Sequence, residues 1–327
     1  MSVPLVSVII PVFNAERFIA ATIESVLAQD WTHKEIIVVD DGSVDDSVAV
    51  IRGYESRGVR CIVKANGGGS AARNSGFKAS QGDYIQFLDH DDLLAPDKIS
   101  RQMAMAGGTT TCPVAGLWTR FQGDVDGAYG GWQPPEVMRH DWAPLDWLIE
   151  SPLVPTCAWL TPRQLVEAAG LWNETLIDNP DDDGEFFMRV FSHSERILFC
   201  DQARSYFRTE DASSAGHNRN VNALRSIFQI CETYDRILRS HSDSVAARRA
   251  RANRYQVFMH MAYPKCPDLI REAESRVAAL GFDPSQVPNT PRYEQLSKLT
   301  GWRMAKRLQQ MLRLVRRFGS RRTPSRH

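Results

Sequence analysis

Over the first hundred residues the apolar positions follow two alternating rhythms. Short β-branched runs give way to longer stretches in which apolar residues recur three or four positions apart. VSVIIPV (6–12) has no polar alternation and predicts a strand buried on both faces. RFIAATIESVLAQ (17–29) sets Phe18, Ile19, Ile23, Val26 and Leu27 on one side of a helix. EIIVVD, DDSVAVIRGYESRG, RCIV, SAARNSGFKAS and YIQFLD repeat the scheme as strand, helix, strand, helix, strand. Connections this short predict an α/β fold with a parallel sheet covered by helices. In such sheets ligands bind beyond the carboxyl ends of the strands. The polar clusters FNAE, DDGSVDD, NGGG and DHDD each follow one of those strands and so are expected along one sheet edge.

Beyond residue 106 the rhythm changes. DVDGAYGGWQPPE reads as turn-rich, CAWL (157–160) as a short apolar run, and Pro162 to Ala169 as a helix that precedes the acidic patch NPDDDGEFFMRVF. After Asn218 the pattern is helical nearly to the end. The expected organisation is residues 1–105 and 106–217 as two halves of one domain, and 218–327 as a helical extension.

The 327 residues, 43% hydrophobic and 24% charged, are those of an ordinary globular protein with a sizeable core. Zero formal charge gives the molecule no overall attraction for polyanions, and no nucleic acid is expected as a partner. The six cysteines form no CxxC pair and have no histidine at zinc-ligand spacing, which predicts free thiols in a reducing compartment. LVSVIIPV lacks a basic flank and is cut by Pro11, and no stretch approaches the ~20 apolar residues of a membrane span. A cytoplasmic protein is expected.

Charge changes the picture locally. Asp89 and Asp91, one residue apart at the end of a strand, can engage a hard cation, and Mg²⁺ or Mn²⁺ is commonly held by one or two carboxylates plus substrate phosphates. Asp91 or Asp92 could instead cap the helix around Pro96 to Met105. Asp40 and Asp41 are placed to meet a ribose or a base, or else belong to a plain Asp-Gly turn. GGGSAA (67–72) fits a dinucleotide fingerprint with an acid about twenty residues on, which points to NAD and an oxidoreductase. It follows the third strand, however, whereas that fingerprint follows the first strand of its unit.

IIPVFNAERFIAATIESVLAQ, EIIVVDDGSVDDS, NGGGSAARNSGFKASQGDYIQFLDHDD and the later DDGEFFMR together resemble the successive motifs of family 2 glycosyltransferases. The resemblance is dense over residues 5–100, thinner to about 215 and absent beyond. It implies a GT-A fold, with helices on both faces of a nucleotide-sugar-binding sheet, and an inverting transfer of a sugar from a nucleotide sugar, UDP-linked, to a hydroxyl of a glycan or lipid-linked acceptor. By position, Pro11 and Phe13 would line the base pocket and Asp41 would hold the base. Asn66 and Arg73 would close over the nucleotide, Asp89 would contact the ribose, and Asp91, with Asp89, would bind the cation. Asp183 would be the catalytic base, its pKa raised by Asp181, Asp182 and Glu185 beside it. The same patch also reads as an ordinary helix start, with Asn179 as cap and Pro180 as first residue, and Glu185–Arg189 as a plain i,i+4 pair.

Many relatives complete the metal shell with a histidine after this helix. Here YFRTEDASSAGH puts Glu210 at that place, with His217 as an alternative. Six of the eight tryptophans fall between Trp118 and Trp172; most are expected in the core, with one or two on the acceptor side. Met304, Leu308, Met311, Val315 and Phe318 recur three and four apart among Arg303, Lys306, Arg307, Arg313, Arg316 and Arg317. Residues 302–322 therefore predict a basic amphipathic helix, lying either on an anionic membrane surface or against the body of the protein. A non-catalytic nucleotide-sugar-binding module at a membrane is the further alternative.

Overall fold

β1 (Val6–Val12) is buried along its whole length, as its unbroken apolar run requires of a strand covered on both sides. In the computed structural model, which describes residues 3–178, 181–209, 220–286 and 291–319, it is followed by α1 (Ile19–Leu27), β2 (Lys34–Asp40), α2 (Ser47–Arg52), β3 (Val59–Val63), α3 (Gly69–Ala79) and β4 (Tyr84–Phe87). Side-chain alternation assigns the two faces. Val6, Val8, Ile10, Ile36 and Val38 pack with Ile19, Ile23, Val26 and Ile51 from α1 and α2. Ile37 and Val39 turn the other way and meet Ala72 of α3.

β5 (Leu93–Leu94), α4 (Lys98–Ala106), β6 (Val114–Gln122), β7 (Asp124–Gln133), α5 (Pro144–Glu150), β8 (Trp159–Pro162), α6 (Arg163–Ala169), α7 (Asp182–Ser192) and β9 (Leu198–Arg208) complete this part of the chain. The strands form one mixed sheet in the order β3-β2-β1-β4-β8-β6-β9-β5, with β7 paired to β6. β3, β2, β1 and β4 are parallel, whereas β4–β8, β8–β6 and β5–β9 are antiparallel. Register fixes the edge: Val12 lies opposite Asp40, and Asp40 opposite Val63. The first three strands thus end level, and their loops open side by side.

Three expectations need correction. DVDGAYGGWQPPE is no string of turns, since most of it is β7, held to β6 with register shifts that its glycines accommodate. Neither Asp91 nor Asp92 caps the next helix, which starts at Lys98 after Asp97. α7 starts at Asp182 with Asp181 before it; Asn179 and Pro180 lie outside the described residues.

The chain divides into two compact units, residues 1–217 and 218–327. The second unit consists of α8 (Val221–His241), α9 (Val245–Ala262), α10 (Pro267–Ala279), α11 (Pro291–Thr300) and α12 (Trp302–Gly319). The side chains of Asn220 and Ser244 accept from the backbone N–H of Ala223 and Ala247 and so cap α8 and α9. Leu224, Phe228, Tyr255, Phe258, Met259, Ile270, Val277 and Trp302 form its core.

Candidate functional site

The loop after β2 is tied to both its neighbours. The Asn14 N–H donates to Ser43 Oγ at 2.9 Å, and the Val44 N–H donates to Asn14 Oδ1 at 2.9 Å. Asp40, fully buried, turns back on its own loop and accepts from the N–H groups of Gly42 and Ser43. Gly42, at φ +79°, passes so close to the third loop that a Cβ there would stand 2.9 Å from the Asn66 nitrogen. Asp41 reaches across: its carboxylate accepts from Lys64 Nζ at 2.6 Å, from the Gly67 N–H at 3.0 Å and from the Gly68 N–H at 2.6 Å. The Gly67 and Gly68 N–H groups, two of those a pyrophosphate would use, are therefore already bound to an acid of the same chain, which counts against the dinucleotide reading.

The loop after β4 is arranged differently. Leu88 still bonds Ile9, after which the chain leaves β1 and crosses to the far end of the sheet, where Leu93 and Leu94 pair with Tyr206 and Ser205 of β9. Asp89, His90, Asp91 and Asp92 occupy that crossing. Arg208, the last residue of β9, donates from Nε to the Asp91 carbonyl at 2.9 Å and from its backbone N–H to Asp92 Oδ1 at 3.0 Å. Burial, then the negative charges of Asp91 and Asp89, push the Asp92 carboxyl well above the usual range. Asp91 is raised too, by burial and by Asp89, against an opposing pull from His90.

Arg73 joins this loop to the start of α7. Its Nη2 donates to Asp89 Oδ1 at 2.7 Å and its Nη1 to Asp182 Oδ2 at 2.7 Å. The guanidinium lies 4.4 Å from the centroid of the Trp172 ring, which itself stacks on Phe186 at 4.1 Å. Asn74, the next residue, clamps the Trp172 backbone by one donated and one accepted hydrogen bond. The Arg73 fork is thus held from below by an aromatic platform and from both ends by carboxylates. Asp183 is within electrostatic reach of the same guanidinium but, among the described residues, forms no ion pair with it or another cation. Its Oδ1 accepts from the Gly184 N–H at 2.8 Å, and burial followed by the charges of Asp182, Asp181 and Asp89 raises its pKa to about 7. Glu185 does not join that crowding, because both its oxygens are bound by Arg189.

The sequence profile of glycosyl transferase family 2 matches residues 7–163, which spans the first four strands and the acid crossing. An uncharacterized glycosyltransferase of Rickettsia typhi is 33% identical over 226 residues, covering 68% of this chain and 68% of that protein. The chain belongs to glycosyltransferase family 2. A second uncharacterized glycosyltransferase, from Rickettsia bellii, is 30% identical over 245 residues, but the match spans 69% of this chain and only 33% of that longer relative. One from Haemophilus influenzae is 42% identical over 106 residues, 42% of its length. Among solved structures, S. aureus TarS 1–349 in complex with UDP superposes with a TM-score of 0.63 at 17% identity, covering 90% of this chain and 91% of that one. That likeness is one of fold and includes the helical extension.

Within the family frame the predicted residues fall into three groups. Asp89, Arg73 and Asp183 come together around Asp182, and Asp91 stands beside Asp89. Phe13 and Asn66 are exposed at the level strand ends, while Pro11 is buried inside β1 and Asp41 is buried under the third loop. Glu210 and His217 lie outside the described residues. Asp89 and Asp91 are two oxygen donors in an acid-rich loop, a set that suits a hard divalent cation completed by substrate phosphates. Among the described residues no group of three or more His, Cys, Asp or Glu forms a self-sufficient metal cage. Sequence reading missed Lys64, the partner of Asp41; Asp182, the far anchor of Arg73; and the platform role of Trp172. Asp182 had a signal, its place next to the expected base, but nothing in the sequence named its partner.

Proposed function

We propose that this chain transfers a sugar from a UDP-linked donor to a hydroxyl of a glycan or lipid-linked acceptor, with inversion, acting at the cytoplasmic face of a membrane. The observation that carries the reading is the contrast at the start of α7. Asp182 is bound by Arg73 through a 2.7 Å ion pair, while Asp183, one residue on, forms no ion pair among the described residues and has its pKa raised to about 7. A general base works best when its pKa lies near the working pH. The Asp183 carboxylate takes the proton of the acceptor hydroxyl as that oxygen attacks the anomeric carbon, and the bond to the diphosphate breaks on the opposite face.

Asp91 and Asp89 would hold Mg²⁺ or Mn²⁺, which when bound would supply positive charge beside the diphosphate. Phe13, Asn66 and the Asp41 loop face the nucleotide, with Pro11 setting the end of β1 behind them. A carboxylate offers about four acceptor positions, and those of Asp41 are filled. A base that binds Asp41 therefore displaces Lys64, the flexible partner, and leaves the two glycine N–H bonds in place. Arg73 holds Asp89 and Asp182 at fixed separation, so that cation site and base keep one geometry.

TarS, whose structures include complexes with UDP and UDP-GlcNAc, motivates the choice of UDP. Thermal-shift measurement tests the reading: UDP-sugars raise Tm, and Mn²⁺ enlarges the rise, because a ligand stabilises only the state that binds it. Stabilisation by NAD with none from UDP-sugars contradicts it.

A further inference from the structure

α12 is docked by the wrong side for an amphipathic helix. Trp302 and Ala305 are buried, with Lys306 and Gln309 half-buried next to them, so the stripe through these four faces the rest of the second unit. Trp302 stacks on His260 of α9 with centroids 5.4 Å apart, and its carbonyl accepts from the Tyr293 hydroxyl at 3.1 Å. Arg303 grips Glu274 of α10 with bonds of 2.8 and 2.9 Å, and Arg307 Nε donates to the Tyr263 hydroxyl at 2.6 Å. Met304, Leu308 and Met311 are 47%, 37% and 60% exposed, and Leu299 of α11 is 85% exposed. At 3.6 residues per turn the stripe of Met304, Leu308 and Met311 is centred about 140° round the helix from the docked one. The sequence continues its spacing at Val315 and Phe318.

An outward apolar stripe of this length needs an occupant, and charge selects it. The chain carries ten Lys and Arg after Glu294 and no acid. The 4-3-4-3 spacing is that of a coiled-coil seam, but two copies of this helix would set Arg307 and its neighbours against their like with no acidic partner. A nucleic acid would use the arginines and leave the apolar stripe in water. An anionic lipid surface uses both: methionine and leucine enter the acyl boundary while the basic side chains meet the headgroups.

We infer that α12 is a surface anchor whose Met304, Leu308 and Met311 enter the cytoplasmic leaflet of a membrane rich in anionic lipid, with the second unit already holding the helix stripe-outward. This deepens the membrane part of the proposed function and is independent of the chemistry of transfer. Because the docked stripe keeps its contacts, the helix binds lipid without leaving its unit.

Co-sedimentation of the full chain with vesicles tests it, using phosphatidylcholine alone and phosphatidylcholine mixed with phosphatidylglycerol. Wild type sediments with the anionic vesicles only, and high salt weakens the binding. Met304→Glu/Leu308→Glu/Met311→Glu, all at exposed positions, lowers the partition by at least about tenfold. Arg313→Gln/Arg316→Gln/Arg317→Gln, leaving the apolar stripe intact, lowers it less. Wild type that ignores anionic vesicles, or a triple-glutamate variant that binds as before, overturns the inference. So does concentration-dependent dimerisation that the triple-glutamate change abolishes, since a second copy then covers the stripe. Stabilisation by UDP, measured on the same variants, is unchanged; its absence in wild type with vesicle binding intact defeats the transfer reading alone.

Discussion

The acids that leave β2 and those that leave β4 start from equivalent places on one sheet edge and end in opposite circumstances. Asp40 and Asp41 serve the fold: Asp40 Oδ2 accepts from two N–H groups of its own loop, and both oxygens of Asp41 are taken by Lys64 and the glycine N–H groups, which staples the second loop to the third. Asp89 and Asp182 share the fork of Arg73, with Asp183 beside them, while Arg208 donates to the Asp91 carbonyl and, by its backbone, to one oxygen of Asp92; burial and mutual repulsion raise Asp91, Asp92 and Asp183. Position at a strand end therefore predicts where an acid lies and says little about what it does. An excess of carboxylate over local cation marks the chemistry, because it leaves groups that a metal, a phosphate or a proton must complete.

That contrast can be broken from either side. Asp183→Asn keeps shape and removes the base, and the expected loss of transfer is about 10³-fold with donor affinity retained. The same change relieves repulsion in the folded state. A carboxyl whose folded pKa is raised costs stability as pH climbs from its unfolded value near 4 through about 7. At pH 8 Asp183→Asn is therefore the more stable protein, by up to about 4 kcal/mol, measurable by denaturant unfolding, and at pH 4 the difference vanishes. Asp91→Ala comes next, with a loss of about 10²-fold and, in thermal shift, no further response to Mn²⁺. Arg73→Lys keeps the charge but breaks the fork, and about a tenfold fall in turnover is expected, with Tm lowered as well because Asp89 or Asp182 loses its partner. Asp41→Asn belongs to the other class. It costs about 2 kcal/mol of stability through its lost charge-assisted bonds, while turnover per folded molecule falls least of the four.

The parallel half of the fold was readable because β1 and β2 carry long apolar runs and the helices between them recur at three and four; local pattern and final burial agree over β1 and β2, while β3, at the sheet edge, is only partly buried. Reading failed where pairing rather than side-chain pattern makes the strand. β7 is glycine-rich and mostly exposed, and is a strand because β6 lies beside it. β5 is two residues long and owes its existence to β9. The acids of the site are all visible as motifs, and adjacency alone implies the crowding of Asp183 by Asp181 and Asp182, whereas Glu185, equally near in sequence, is taken up by Arg189. What spacing could not supply is the partner of each charge. Arg73 meets an acid 109 positions away, and Asp41 is neutralised by Lys64, a residue with no motif of its own. Both bonds depend on how loops from different strands converge, which is a property of the sheet edge as a whole.

The pH dependence of transfer, measured as kcat with saturating donor and acceptor, tests the central claim most directly. If Asp183 is the base, kcat rises with pH through about 7 and then levels, and the residual rate of Asp183→Asn loses that rise. A rate already level from pH 5 upward, or an Asp183→Asn variant that turns over like wild type, contradicts the account.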